Sequence, residues 1–256
     1  MVVKDQLTLE EAPVSRSEAQ APVVPAAVMR IDLHCHSQAS HDCSTPLTSI
    51  PVRCRKRGIH VQAITDHNQI WGAQELKAMV ESETESGQPA LTIIVGEEVS
   101  TSEGEIIGLF LKEKIEEGLS PEDTVEQIIA QGGLVLLPHG FDPLKRWRLT
   151  PAALERVADA INIVEAFNAR VSRATWNRVA AEWAQARRLP MSAGTDAHTI
   201  ADIGVAWVEV PRSPVGSPAE LLAALIGGKP SGLRTHPVKA YVYKLWDRTW
   251  RRVIAR

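Results

Sequence analysis

Two histidines one residue apart, His34 and His36, follow a short apolar run in the segment IDLHCH at residues 31–36. Alternate residues of an extended chain point to the same side, so both imidazoles can reach one ligand while Cys35 points away. Paired imidazoles suit a divalent metal such as Zn²⁺, Mn²⁺ or Fe²⁺. Two polar residues in a loop would look the same, so the rest of the sequence has to decide.

Histidines and carboxylates recur where the later apolar runs end. The segments ITDHN, LPHG and SAGTDAH supply His67, His139 and His198. The acidic residues near such ends are Asp32, Asp42, Asp66, Glu97, Glu98, Glu165 and Asp196. One histidine of this kind is more often an ordinary hydrogen-bonded side chain, but the repeated pattern favours metal binding. The set exceeds the needs of one ion, which indicates a multinuclear site.

The apolar runs alternate with helical stretches, which predicts βαβ units and a mainly parallel sheet. The predicted strands are 28–34, 60–67, 91–100, 133–140, 161–168 and 189–198, and the predicted helices lie near 46–57, 71–85, 121–131, 151–159 and 172–188. The run GEIIGLFL at 104–111 predicts a hairpin with the third strand. IGVAWVEV adds a strand, and 217–230 adds a helix. In a parallel β/α barrel the carboxyl ends of the strands open on one face, where these polar residues would meet.

Three helix starts are marked by hydroxyl residues followed by proline. Ser120, Thr150 and Ser217 precede Pro121, Pro151 and Pro218. Proline is tolerated at the first helical position, and a hydroxyl before it can accept a hydrogen bond from the first turn. We therefore predict N-caps at these residues.

Composition limits the class of protein. The chain has 256 residues, 44% of them hydrophobic and 23% charged, enough for one globular barrel domain. Its net charge of −3 argues against general nucleic-acid binding. Three cysteines form no disulfide framework, which favours a reducing cytoplasm. No secretory signal is evident, and no segment approaches the ~20 apolar residues of a membrane span.

The chain is predicted to divide into three parts. Residues 1–27 are rich in proline and alanine and are expected to form a flexible leader. Residues 28–233 hold the barrel pattern, and 234–256 form a basic extension with interleaved aromatic residues.

The ordered motifs carry a family resemblance. DLHCHS, SHDCSTP, ITDHN, GEEVST, GEIIGL, LPHG, IVEAFN and SAGTDAHT resemble the PHP superfamily, the polymerase and histidinol phosphatase group, from about residue 30 to 228. The resemblance implies an α/β fold, a distorted seven-stranded (β/α) TIM-like barrel. It also implies two to three divalent metal ions, Mn²⁺, Zn²⁺ or Fe²⁺ with Mg²⁺ as an alternative, and hydrolysis of phosphate esters.

The resemblance also implies a set of metal ligands. These are His34, His36, Asp42, His67, Glu98, Glu105, His139, Asp196 and His198. A first metal would have His34, His36, Glu98 and Asp196, a second Glu98 and His139, and a third Asp42, His67 and His198. Glu105 stands where many relatives have histidine, and its oxygens favour a harder ion such as Mn²⁺ or Mg²⁺. The neighbouring His41 is the alternative to Asp42.

Cationic and aromatic residues predict what the metals act on. Arg170 follows the strand that carries Glu165, and Asn168 is the last residue of that strand. The loop FDPLKRWR at 141–148 brings Lys145, Arg146 and Arg148 around Trp147. Guanidinium groups bind phosphate, and an indole can stack on a base. The predicted substrate is a small phosphorylated metabolite, a nucleotide or a short oligonucleotide, without a stable nucleic-acid complex. A solvated basic helix start is an equal alternative for the loop.

The predicted catalytic residues are Arg170, His198 and Asp66. Arg170 would neutralise developing charge, and His198 or His41 would protonate the leaving group. Asp66 precedes His67 and either orients an imidazole or simply ends a strand. Two other functions stay open: a metal-dependent amide or lactone hydrolase, and a non-catalytic metal-binding regulatory module. The oligomeric state is open too.

Overall fold

The computed structural model describes residues 28–87 and 90–235. The predicted leader, and the predicted extension from residue 236 onward, lie outside the described residues. The strands are β1 (Val28–Asp32), β2 (Val61–Ile64), β3 (Thr92–Thr101), β4 (Gly104–Leu109), β5 (Leu134–Leu137), β6 (Ile163–Asn168), β7 (Met191–Gly194), β8 (Ala206–Pro211) and β9 (Lys229–Gly232). The helices are α1 (Ser49–Arg57), α2 (Trp71–Glu85), α3 (Pro121–Ala130), α4 (Pro151–Val157), α5 (Ala174–Arg187) and α6 (Pro218–Leu225). None of these helices is long and apolar enough to cross a membrane.

The strands form one mixed sheet in the order β7-β6-β5-β4-β3-β2-β1-β8-β9. Strands β1, β2 and β3 are parallel neighbours, as are β5, β6 and β7. The sheet curves until β7, the strand at one end, meets the residues that follow β1. Leu33 N donates to Ala193 O at 3.1 Å, and Asp196 N donates to His34 O at 2.8 Å. The result is a nearly closed, barrel-like sheet that brings β1 and β7 together.

The predicted number of seven strands is wrong, because the described sheet has nine. Strand β4 pairs antiparallel with β3, as the predicted hairpin requires, and also with β5. The helix predicted over 217–230 ends at Leu225; Gly227 then takes a φ of 74°, and β9 pairs antiparallel with β8. Since β8 is also antiparallel to β1, the sheet is mixed and not the regular parallel barrel of the TIM fold.

Apolar residues cover both faces of the sheet. One cluster packs helices α1 to α5 against the outer face, and Cys35 belongs to it. The other lies on the inner face and includes Ile31, Leu33 and Ile107, with side chains of α6. All four residues of β2 are buried, as expected for a strand covered on both faces. This packing fixes the strand ends from which the polar residues project.

All three predicted N-caps are confirmed. The side-chain oxygens of Ser120, Thr150 and Ser217 accept hydrogen bonds from the backbone at 3.0, 3.2 and 3.3 Å. Each cap stabilises its helix by about 1 kcal/mol. The proline that follows each cap occupies the start of α3, α4 or α6.

Candidate metal centre

The first ligand group lies where β1, β3 and β7 come together. The Nε2 atoms of His34 and His36 are 3.2 Å apart, and Glu98 Oε2 lies 3.2 and 3.3 Å from them. Asp196 Oδ1 is 3.6 Å from His36 Nε2 and 4.0 Å from His34 Nε2. Ligand atoms placed about 2.1 Å from a tetrahedral ion are roughly 3.4 Å apart. The donor set and its spacing therefore fit one divalent cation.

A second group shares Glu98 with the first. Its Oε1 lies 3.0 Å from His139 Nε2, and its Oε2 lies 3.4 Å from His67 Nδ1. Glu105, on β4, faces the same two imidazoles: its oxygens are 3.5 Å from His67 Nδ1 and 3.7 Å from His139 Nε2. Glu98 thus belongs to both groups, and Glu105 presents its carboxylate oxygens beside it.

A third group lies nearer the surface. Asp42 Oδ2 is 3.0 Å from His198 Nε2, and Asp42 Oδ1 is 3.8 Å from His67 Nε2. His41 is exposed, and its ring centroid is 5.2 Å from that of His67. Of the two alternatives in the sequence, the structure places Asp42 among the imidazoles and leaves His41 at the edge.

Burial sets the electrostatics of these groups. Burial, and then the neighbouring charge of Glu98, raise the pKa of Glu105 to about 10. Burial alone would lower the pKa of His36, but the Asp196 and Glu98 carboxylates outweigh it and raise that pKa to about 9. The chain thus gathers more carboxylates than its own cations can keep ionised. Divalent ions would supply the missing positive charge, so the electrostatics also fit bound metal.

His198 and Arg170 line the cavity and also contact the ligand residue Asp196. Arg170 Nη1 contacts His198 Nδ1 and lies 3.4 Å from Asp196 Oδ1. Burial, and then the Arg170 charge, lower the pKa of His198 to about 3. The neutral imidazole that results is suited to bind a metal and is a poor proton donor at neutral pH.

A cavity of about 630 Å³ opens above the ligands. One wall is cationic and includes Lys145, Arg146 and Arg170. Residues 141–148 form what we call the rim loop. Within it, Lys145 pairs with Asp196, and the Arg146 guanidinium lies 4.9 Å from the centre of the Trp147 ring. The indole of Trp147 is 56% exposed, so this wall offers cations and an aromatic face together.

Two residues predicted to bind substrate do not line this cavity. The Arg148 guanidinium donates to Leu149 O at 3.4 Å. Asn168 is fully buried, and its side-chain nitrogen donates to Glu165 Oε2 at 3.0 Å and Asp196 Oδ2 at 3.3 Å. Asn168 is therefore placed to orient carboxylates, because no substrate can reach it directly.

Both ends of the rim loop are tied down. Asp142 accepts hydrogen bonds from Ser172 N at 2.5 Å, Ser172 Oγ at 2.9 Å and Leu144 N at 3.0 Å. At the other end, Glu105 N donates to Trp147 O at 2.7 Å. We did not predict a role for Asp142, since its partner Ser172 lies thirty residues away in a different loop.

Other buried carboxylates at the strand ends accept hydrogen bonds from backbone N–H groups and do not face the ligands. Both oxygens of Asp66, a predicted catalytic residue, accept hydrogen bonds from Ser37, at 2.6 Å from its backbone and 2.6 Å from its hydroxyl. Asp32 Oδ2 accepts from Thr195 Oγ1 at 2.6 Å, and burial raises the pKa of Asp32 to about 6. Glu97 Oε2 accepts from Ile115 N at 2.9 Å, so of the Glu97–Glu98 pair only Glu98 faces the ligands.

Glu165 is the main residue that sequence reasoning missed. The sequence places it among the strand-end carboxylates of the metal-binding pattern, but without a specific partner or role. In the structure its carboxylate contacts His34 Nδ1 at 3.0 Å and accepts from the backbone of His139 at 2.6 Å. The usable signal was the acidic residue of IVEAFN at the same strand end as Asn168.

Comparisons with known proteins agree with this picture. A family model described as the PHP domain matches residues 32–150, and one described as PHP-associated matches 174–230. The uncharacterized protein MJ1587 of Methanocaldococcus jannaschii is 40% identical over 153 residues, which cover 55% of this chain and 82% of that protein.

Solved structures share the fold at low sequence identity. A two-domain Bacteroides vulgatus protein, described as containing a predicted PHP-like metal-dependent phosphoesterase, matches with a TM-score of 0.62 and 16% identity, over 87% of this chain and 70% of its own. The lesion-specific endonuclease PfuEndoQ of Pyrococcus furiosus matches with a TM-score of 0.55 and 14% identity, over 82% of this chain and 60% of its own.

Proposed function

This chain belongs to the PHP family, and from that premise we propose that it is a metal-dependent phosphoesterase. Its substrate would be a small phosphorylated metabolite, a nucleotide or a short oligonucleotide. The observation that carries the proposal is that one cavity is lined both by members of all three ligand groups and by a cationic wall with Lys145, Arg146 and Arg170.

The proposed metal ligands are the residues of the three groups. They are His34, His36, Asp42, His67, Glu98, Glu105, His139, Asp196 and His198. When bound, two to three divalent ions would supply an activated water and stabilise the charge that develops on the phosphate. The mixed nitrogen and oxygen ligands suit Mn²⁺, Zn²⁺ or Fe²⁺, and the carboxylate of Glu105 extends the choice to Mg²⁺.

The cationic wall supplies phosphate recognition. Arg170 sits beside Asp196 and His198, where its fixed guanidinium can receive a phosphate oxygen and offset negative charge in the transition state. Lys145 adds a second positive charge from the rim loop. An uncharged amide or lactone would not need these groups, so the cavity favours a phosphate ester over the alternative hydrolase.

Residues with other contacts take other roles in this scheme. His198 has a lowered pKa, so we assign protonation of the leaving group to His41, which lines the cavity and is exposed. Asp66 holds the loop that carries Ser37 and acts as a positioning residue. Trp147 offers an exposed ring to the leaving group, which favours an aromatic one such as a nucleobase.

A hydrolysis assay tests the proposal. Purified protein, freed of metal by chelation, is supplied with Mn²⁺, Zn²⁺, Fe²⁺ or Mg²⁺ and assayed for phosphate release or bond cleavage. Substrates are an aryl phosphate, an aryl phosphodiester, sugar phosphates, nucleoside monophosphates and short oligonucleotides. We expect turnover with at least one metal and none after chelation.

Two adjacent glutamates provide a matched pair of variants. Glu98→Gln should abolish turnover, whereas Glu97→Gln should retain it, because Glu97 faces Ile115 and not the ligands. Absence of turnover on every substrate with all four metals would contradict the proposed function. Equal activity in the two variants would contradict the assigned site.

A further inference from the structure

We infer that Glu165 is a positioning residue that selects the metal-binding tautomer of His34 and fixes His139 in place. This inference rests on the proposed metal centre, but it concerns a residue outside the ligand groups. Both Glu165 and His34 have side chains with no solvent exposure, and Glu165 Oε1 lies 3.0 Å from His34 Nδ1. No solvent reaches either side chain, so the surrounding residues determine their contact.

The hydrogen bonds of Glu165 decide which ring nitrogen of His34 carries the proton. Glu165 Oε2 accepts from His139 N at 2.6 Å and from Asn168 Nδ2 at 3.0 Å. An ionised carboxylate has no proton to donate, so Oε1 accepts as well; the Nδ1 atom of His34 then carries the proton, and its Nε2 atom keeps the lone pair. That Nε2 atom is the one that lies 3.2 Å from both His36 Nε2 and Glu98 Oε2. The carboxylate thus turns the ligating nitrogen toward the first group.

The same carboxylate holds a second ligand through its backbone. His139 has a φ of 26°, an unfavourable conformation for a residue with a side chain. The hydrogen bond from His139 N to Glu165 supports this conformation, from which His139 Nε2 reaches Glu98 Oε1 at 3.0 Å. A ligand of the first group and a ligand of the second therefore depend on one side chain.

The backbone of β6 and β7 leaves room for the contact between Glu165 and His34. The pairing of β6 with β7 shifts register between Glu165 and Phe167, and such bulges re-aim side chains near functional sites. A Cβ atom on Gly194 of β7 would lie 1.9 Å from Glu165 Oε1 and 2.5 Å from His34 Cβ. Glycine at 194 is thus what lets the carboxylate and the imidazole meet.

The isosteric variant Glu165→Gln tests the tautomer directly. Two donors face the position of Oε2 and one faces Oε1, so the amide oxygen should turn toward His139 N and Asn168. The amide NH₂ group then faces His34 Nδ1, where it meets a proton that a metal-bound His34 must keep there. Either His34 leaves the metal or the amide gives up two acceptor contacts, and both outcomes weaken metal binding.

We therefore expect Glu165→Gln to bind Zn²⁺ about 10 to 100-fold more weakly than the wild type in a chelator competition. Glu97→Gln is the control, since it makes the same substitution at a fully buried glutamate that faces Ile115. Its affinity should match the wild type. Unfolding curves recorded in chelator check that both variants fold without metal.

Nitrogen-15 NMR of histidine-labelled, Zn²⁺-loaded wild-type protein gives a readout that is independent of any variant. We expect His34 to show a protonated, slowly exchanging Nδ1 and a metal-bound Nε2. A protonated Nε2, or Zn²⁺ affinity in Glu165→Gln equal to the wild type, would overturn the inference. Neither measurement needs turnover, so a protein that binds Zn²⁺ in this way but hydrolyses nothing would count only against the proposed phosphoesterase activity.

Discussion

The floor of the metal centre and its rim are built in different ways. The floor comprises His34, Glu98, His139, Glu165 and Gly194; it is buried, and its side chains contact one another. The rim loop is anchored by its ends, while the Trp147 ring between them is largely exposed. From this difference we propose that the floor would determine metal binding and the rim loop would determine which substrate the metals act on.

The largest expected effect comes from the carboxylate shared by two ligand groups. Glu98→Gln removes a charge that contacts His34, His36, His67 and His139. We expect at least a 1000-fold loss of turnover, on the order of the ~4 kcal/mol lost when a preorganised charge is removed from a reaction centre. Metal content measured by elemental analysis should fall as well. Full metal content with normal turnover would mean that the floor does not set metal binding.

The second-largest expected effect is a loss of stability in a glycine variant of the floor. Gly194→Ala places a methyl group against Glu165 Oε1 and His34 Cβ, both fully buried, so the contact can relax only by moving the floor. We expect a loss of about 1–3 kcal/mol in the free energy of unfolding, measured in chelator, together with weaker metal binding. Gly216→Ala is the control, because the nearest atom to its added Cβ is 3.6 Å away. Equal stability of the two variants would show that the floor is not tightly packed.

Patterns within short segments of the sequence predicted the helix caps, one hairpin and part of the ligand set. The three N-caps were predicted because a cap depends on residues within one helical turn. The HxH motif and the carboxylates at strand ends were visible because alternation and strand order bring them to one face. The hairpin of β3 and β4 was marked by the turn at 102–104 and a further apolar run.

Contacts between distant segments could not be predicted. Glu165 meets His34 across 131 residues, and the meeting depends on a register shift and a missing side chain at Gly194. Strand β9 was hidden because KPSG has no alternation of apolar residues and gains its structure from pairing with β8. For the same reason Asn168 could not be recognised as buried beneath the cavity that we expected it to line.

A moderate effect is expected at the anchor of the rim. Asp142→Ala removes the acceptor for Ser172 and Leu144, so the loop can move and Lys145 loses its position beside the cavity. We expect KM for the best substrate to rise about tenfold through lost positioning, with unchanged metal content. Asp159→Ala, at an exposed acid, is the control and should leave KM unchanged. A fall in metal content in Asp142→Ala would break the separation between rim and floor.

The smallest expected effect is also the most selective. Trp147 contributes an exposed ring and no metal ligand, so Trp147→Ala should raise KM only for substrates that can stack on it. One stacked base corresponds to about 1 kcal/mol at the lower end of measured values, or roughly a fivefold increase in KM for a nucleotide. A sugar phosphate should be unaffected, and Trp147→Phe should restore most of the loss. Trp71→Ala removes another exposed indole that does not line the cavity, and it should change neither substrate. An equal rise in KM for nucleotide and sugar phosphate would assign Trp147 to loop packing and leave phosphate recognition to Lys145 and Arg170.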